Sequence, residues 1–136
     1  MNTKTITNRT IFLVALLFVS QMAVGQNKTN SLAEALENGT HNQVASLIKE
    51  GAELDNSEEY LHYATLNSNI KYVKQNYSLL LKNGYKPAKH EYLSAFYFAI
   101  DQNNTEVMSF LATQPEWNFK NDFKNNQAEI FQRAYT

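Results

Sequence analysis

The sequence predicts an all-α protein: a short helical-repeat solenoid of three helix pairs, closed by a C-terminal capping helix. Three observations predict it. Ala35, Ala64 and Ala99 recur at separations of 29 and 35 residues, and each is followed four positions later by a turn residue, Gly39, Ser68 or Asn103. A second run of helical period follows each turn, with apolar positions at Val44, Leu47 and Ile48, then Val73, Leu79, Leu80 and Leu81, then Val107, Phe110 and Leu111. Each of those runs stops at a breaker: Gly51, Gly84 or Pro115. Such a period belongs to helical arrays, in which one pair cannot bury its apolar face alone and stacks on a neighbour.

Residues 1–25 read as a secretory signal peptide. Lys4 and Arg9 precede the apolar run Ile11 to Val19, and the small residues Ala23 and Gly25 sit before Gln26. Nine uninterrupted apolar residues fall short of the roughly 20 that span a bilayer. The expectation is export with cleavage to a bacterial periplasm or exterior, with no membrane insertion of the mature chain. Removing residues 1–25 from the 136 leaves 111, enough for one domain with its own core, and shifts the formal charge from −1 to −3. That balance argues against a nucleic-acid partner, which calls for a basic stripe. The chain has no cysteine, which removes a lipid-linked thioether, thiol catalysis and thiolate metal sites. The acceptor-like tripeptides at Asn27, Asn38, Asn76 and Asn103 are read as chance in an asparagine-rich chain.

Within the domain at 26–136 the first repeat spans about 31–56. Asn30 or Ser31 caps a helix through about Asn38, with Leu32, Ala35 and Leu36 on one face. Its partner runs from about Asn42 to Glu50, where Gly51 supplies a left-handed C-terminus. The second repeat, 57–88, starts at Ser57 with Glu58 and Glu59 in a first turn and continues through Leu66. Its second helix, Ile70 to about Lys82, is longer than its counterparts. Ala64 to Gly84 spans twenty residues, against sixteen from Ala35 to Gly51 and from Ala99 to Pro115. The extra four, within Gln75-Asn-Tyr-Ser78, make one helical turn, which preserves the facing of every later helical position. The third repeat, 89–118, pairs about His90–Gln102 with Asn104–Thr113, and Pro115 ends it. In the cap at 119–136, polar Asn118–Asn126 is expected to be irregular, and Gln127–Tyr135 to form a helix in which Ile130, Phe131 and Ala134 cover the end of the stack.

The stretch Asn38-Gly-Thr-His-Asn-Gln-Val-Ala-Ser-Leu-Ile-Lys-Glu-Gly-Ala-Glu-Leu-Asp-Asn56 resembles the ankyrin repeat, including its Gly-Ala ending. Leu61-His-Tyr-Ala64 resembles the Leu-His-x-Ala part of the family's first helix, and Ala99 with Asn103 to Leu111 its helix-turn-helix register. The resemblance covers roughly residues 31–118. No copy has the Thr-Pro that opens the family's first helix, and the connections Gly51–Ala64 and Gly84–Ala99 are thirteen and fifteen residues, shorter than the family's. The resemblance thus implies stunted hairpins. It also implies that His62 is a structural histidine bonding between neighbouring turns.

Catalytic chemistry finds little support. His41, His62 and His90 fit no same-face metal spacing, and His90 beside Glu91 reads as a helix-start surface pair. No nucleophile elbow, phosphate-binding glycine loop or dinucleotide fingerprint occurs. The expectation is a chain without enzymatic activity, cofactor or metal.

The resemblance places the two residues before each turn on the binding groove: Glu37 and Asn38, Leu66 and Asn67, Asp101 and Gln102. Residues leading into the first helices, Glu58, Glu59, Lys89, His90 and Glu91, then form the rim. The implied role is an exported, non-catalytic protein-protein interaction module, monomeric, of the inhibitor or immunity type toward an envelope protein. The alternative is a small-molecule or glycan binder using exposed tyrosines. Tyr60, Tyr63, Tyr92, Phe96 and Tyr97 read first as spacers between layers, and second as binding anchors, since aromatic rings give large contact area with few rotors.

Overall fold

The computed structural model describes residues 31–55 and 58–135; the stretch 1–25, expected from the sequence to be a signal peptide, lies outside them. The described residues are all-helical, with eight helices and no strand. They are α1 (31–38), α2 (His41–Lys49), α3 (Tyr60–Leu66), α4 (Ile70–Lys82), α5 (Lys89–Asp101), α6 (Thr105–Ala112), α7 (Phe119–Asn125) and α8 (Gln127–Ala134).

Local signals set the boundaries. Thr40 opens α2 with a capping box, its backbone N–H donating to Gln43 Oε1 at 2.7 Å while the Gln43 N–H donates to Thr40 Oγ1. Asn69 and Asn104 cap α4 and α6 through their side-chain oxygens. At the other ends, Gly51 (φ 92) and Gly84 (φ 91) adopt the left-handed conformation. The next residues reach back, Ala52 N–H to Leu47 O and Tyr85 N–H to Leu80 O, closing Schellman turns. Asn103 (φ 51) repeats the device without a glycine, with Asn104 N–H bonded to Ala99 O at 2.7 Å.

The helices pack in two rows. In one, α3 lies beside α5 and α5 beside α8; in the other, α2 lies beside α4 and α4 beside α6, while α3–α4 and α5–α6 join the rows. Ala64 and Ala99, 0% and 2% exposed, sit where α3, α5 and their neighbours close on one another. Around them the core holds Leu32, Leu36, Val44, Leu61, Val73, Leu80, Val107 and Leu111, with rings from Tyr60, Tyr77, Tyr85, Tyr92, Phe96 and Trp117. The longer α4 is present as the spacing requires, with 13 residues against 9 in α2 and 8 in α6.

Two expectations are corrected. Asn118–Asn126 is not irregular: α7 occupies most of it, started by Asn118, whose side chain accepts from Asn121 N–H. Phe119 and Phe123, one turn apart, face each other at 5.5 Å, and Phe119 continues onto Trp117 at 5.1 Å and Phe96 at 5.2 Å. A seven-residue segment of poor helix formers is thus held by tertiary aromatic contacts. His62 makes no bond between turns through Nδ1, which is buried without a partner. Its ring instead stands edge-on to Phe98 at 5.7 Å and Tyr63 at 6.2 Å.

Candidate functional site

Leu66, Asn67 and Gln102 come together although they belong to different helix pairs. With Thr65, Ser68, Phe98, Ala99 and Asn104 they line a cleft of about 180 Å³ between the C-terminal ends of α3 and α5. The two helices lie side by side there, and Ala99 lets them approach. Leu66 is half-buried and Gln102 exposed, so both are open to the surface. Asn67 is 4% exposed, and its Nδ2 donates to Leu36 O and Gly39 O, each at 3.0 Å. It ties the end of α1 to the end of α3 and satisfies carbonyls that the first helix leaves open. Its Oδ1 accepts from Asn69 N–H, also at 3.0 Å. Asn67 therefore shapes the cleft more than it offers polar groups to a partner.

Glu37 is half-buried and Asn38 exposed, and Asn38 borders a separate, larger cleft on the flank of α1 and α2. Asp101 is exposed but held by Arg133, whose Nη1 lies 2.9 Å from Oδ2. Arg133 also contacts Glu129 and sits 4.6 Å above the Tyr97 ring, joining α8 to α5.

The rim residues gather at the opposite ends of α3 and α5. Glu59 Oε1 lies 3.6 Å from His90 Nε2, both on the surface. Glu91 is buried: Oε1 accepts from Ala88 N–H at 2.8 Å and Oε2 from the Tyr85 hydroxyl. That hydroxyl also accepts from Tyr60 N–H at 3.1 Å and lies 3.0 Å from Glu58 O. One phenol thereby receives the first donor of α3, which has no side-chain cap of its own. Burial first, then the bond to Glu91, pushes the Tyr85 phenol up. Lys89 is exposed, yet its ammonium lies 2.6 Å from Oδ1 of Asp122, which is buried. The Lys89 contact, helped by the Trp117 indole at 2.8 Å, outweighs burial and holds the Asp122 carboxyl below its ordinary range.

The aromatic residues divide in the same way. Tyr60, Tyr92 and Phe96 are buried, Tyr63 and Tyr97 half-buried. The Tyr92 hydroxyl meets that of Tyr77 at 2.7 Å, and its ring stacks on Trp117 at 5.6 Å. Among the described residues no group of three or more histidines or carboxylates is arranged to hold a metal ion. No described helix is long and apolar enough to cross a membrane.

Compared with known proteins, the chain matches no family model, no curated protein and no solved structure.

Proposed function

We propose that this chain is a short ankyrin-like repeat stack that acts as an exported, non-catalytic binding module for another protein, of the inhibitor or immunity type. The observation that carries this reading is the cleft joining Leu66 and Gln102 across two helix pairs. A surface that runs across successive helix pairs is how helical arrays build binding faces. The alternation of rows, with α8 beside α5 as the next helix of the first row, supports a repeat stack with a capping helix. Leu66 supplies the apolar centre and Gln102 an adaptable amide. The tyrosine reading is less well supported, because the hydroxyls of Tyr60 and Tyr92 are engaged inside the chain.

The test is affinity capture of the native partner from an envelope fraction by two double variants, each shown to be folded by circular dichroism. Leu66→Arg with Gln102→Arg places two bulky cations in the cleft at sites that are not buried, and capture is expected to be lost. Lys49→Glu with Lys71→Glu alters the other row and is expected to leave capture intact. Loss of capture in the second variant alone overturns the assignment of the binding face.

A further inference from the structure

Charge is segregated between the two rows. Helices α2, α4 and α6 carry Lys49, Lys71, Lys74 and Lys82 against one carboxylate, Glu106. Among the described residues none of these four lysines takes part in an ion pair; the pairs there use Lys89, His90 and Arg133. Between α2 and α4 lies a cleft of about 420 Å³ lined by His41, Lys74, Gln75, Ser78, Leu79 and Lys82. Its lining has two ammonium groups, a hydroxyl, an amide and an imidazole, and no carboxylate. The cleft on the flank of α1 and α2 contains Glu34 and Glu50, and the one between α4 and α6 contains Glu106.

A second observation concerns Asn76, which is fully buried in α4. Its Oδ1 lies 2.8 Å from His41 Nδ1, and its Nδ2 has no partner. The carbonyl oxygen only accepts, so Nδ1 carries the hydrogen and Nε2 is left as the ring's other polar atom. A buried amide with unused donors is costly where an apolar side chain packs without penalty. Its bond to His41 fixes that ring at the edge of the cleft. Gln75, Asn76 and Ser78 lie within the stretch where the sequence spacing places the extra helical turn of α4, and two of them, Gln75 and Ser78, line the cleft.

We propose that the cleft binds a phosphate-type oxyanion. Lys74 and Lys82 supply the charge as mobile point donors, Gln75 and Ser78 supply neutral donors, and Asn76 positions His41. The site lies on the row opposite the proposed protein-binding cleft and does not depend on it. The bound group is either a free phosphate ester or the headgroup of an anionic lipid, which share this chemistry.

The experiment titrates inorganic phosphate into the protein while amide chemical shifts are followed, and in parallel sediments the protein with phosphatidylglycerol or phosphatidylcholine vesicles. Saturable shifts confined to His41 and Lys74–Lys82 are expected. Lys74→Gln with Lys82→Gln is expected to weaken binding by about fivefold or more with little change in melting temperature, since both ammonium groups are solvated. Asn76→Leu is expected to weaken binding while keeping the fold, which a purely structural asparagine would not do. Phosphate shifts without sedimentation assign a free ester; sedimentation with phosphatidylglycerol alone, lost in the lysine variant, assigns the headgroup. Absence of both, or phosphate shifts unchanged by the lysine variant, overturns the proposal.

Discussion

Asp122→Asn tests how α7 is held. Asp122 is 2% exposed and joins three elements: it sits in α7, contacts Lys89 of α5 at 2.6 Å, and accepts from Trp117 Nε1 at 2.8 Å. Asparagine keeps the shape and an acceptor for the indole but removes the charge. A hydrogen bond to a charged group exceeds a neutral one by about 1 kcal/mol. The Lys89 side chain is 66% exposed, so that contact adds only about 0–1 kcal/mol. The expected loss is about 1–2 kcal/mol, or a fall in Tm of about 5–10 °C for a domain of this size. The pH dependence has a definite sign. The carboxyl of Asp122 is held below its ordinary value in the folded chain, so the unfolded chain takes up its proton first as pH falls. The stabilisation is complete above about pH 4, the unfolded value, and is lost as pH drops through the lower folded value. Melts of both proteins at about pH 7, 5 and 3, the last below the unfolded value, check this, and Trp117, the only tryptophan, reports the site by its emission. A gap between wild type and variant that is absent at neutral pH, or as large in acid as at neutral pH, refutes the argument.

Two further variants probe the joints of the stack. Ala64→Glu puts an unpaired charge at a position with no exposed surface, at a cost of several kcal/mol against a total stability of about 5–15 kcal/mol; a melt within a few degrees of wild type would show that α3 does not close there. Tyr85→Phe strips the Tyr60 N–H and one Glu91 oxygen of their buried partner, an expected loss of about 2–3 kcal/mol, checked by urea unfolding and by faster amide exchange at Tyr60.

Where the sequence was legible, apolar spacing and turn chemistry were strong together. Ile70–Lys82 emerges at its expected limits because Asn69 caps it and Gly84 ends it. The pairs α1–α2 and α5–α6 emerge for the same reason, through Gly51 and Asn103. The elements that stayed hidden depended on contacts between distant residues. Helix α7 has the composition of a loop, and Phe96 and Lys89, which hold it together with Trp117 of the segment leading into it, lie in α5. The Tyr85 cap of α3 joins residues 25 apart, and nothing in the local sequence marks it. Only faint signals pointed to either: a tyrosine directly after a helix-ending glycine, and Phe119 and Phe123 four apart.

The polar residues engaged within the chain share one physical cause. Helix ends leave backbone donors and acceptors open, and where helices pack closely those ends lie against neighbouring elements rather than in water. Polar side chains at the joints must therefore satisfy them. Asn67 does so for the end of α1, Tyr85 with Glu91 for the starts of α3 and α5, and Asn104 for α6. A register carried over from a repeat pattern finds the joints but does not separate groups that serve the stack from groups that face outward. Once Asn67, Glu91, Lys89 and Asp101 are assigned to contacts within the chain, the outward set narrows to Glu37, Asn38, Leu66 and Gln102, with Glu58, Glu59 and His90 at the far end. Leu66 and Gln102 are the pair among these that share one cleft, which is why the two arginine substitutions belong there and not at Asp101, whose loss would also remove one of the contacts by which Arg133 joins α8 to α5.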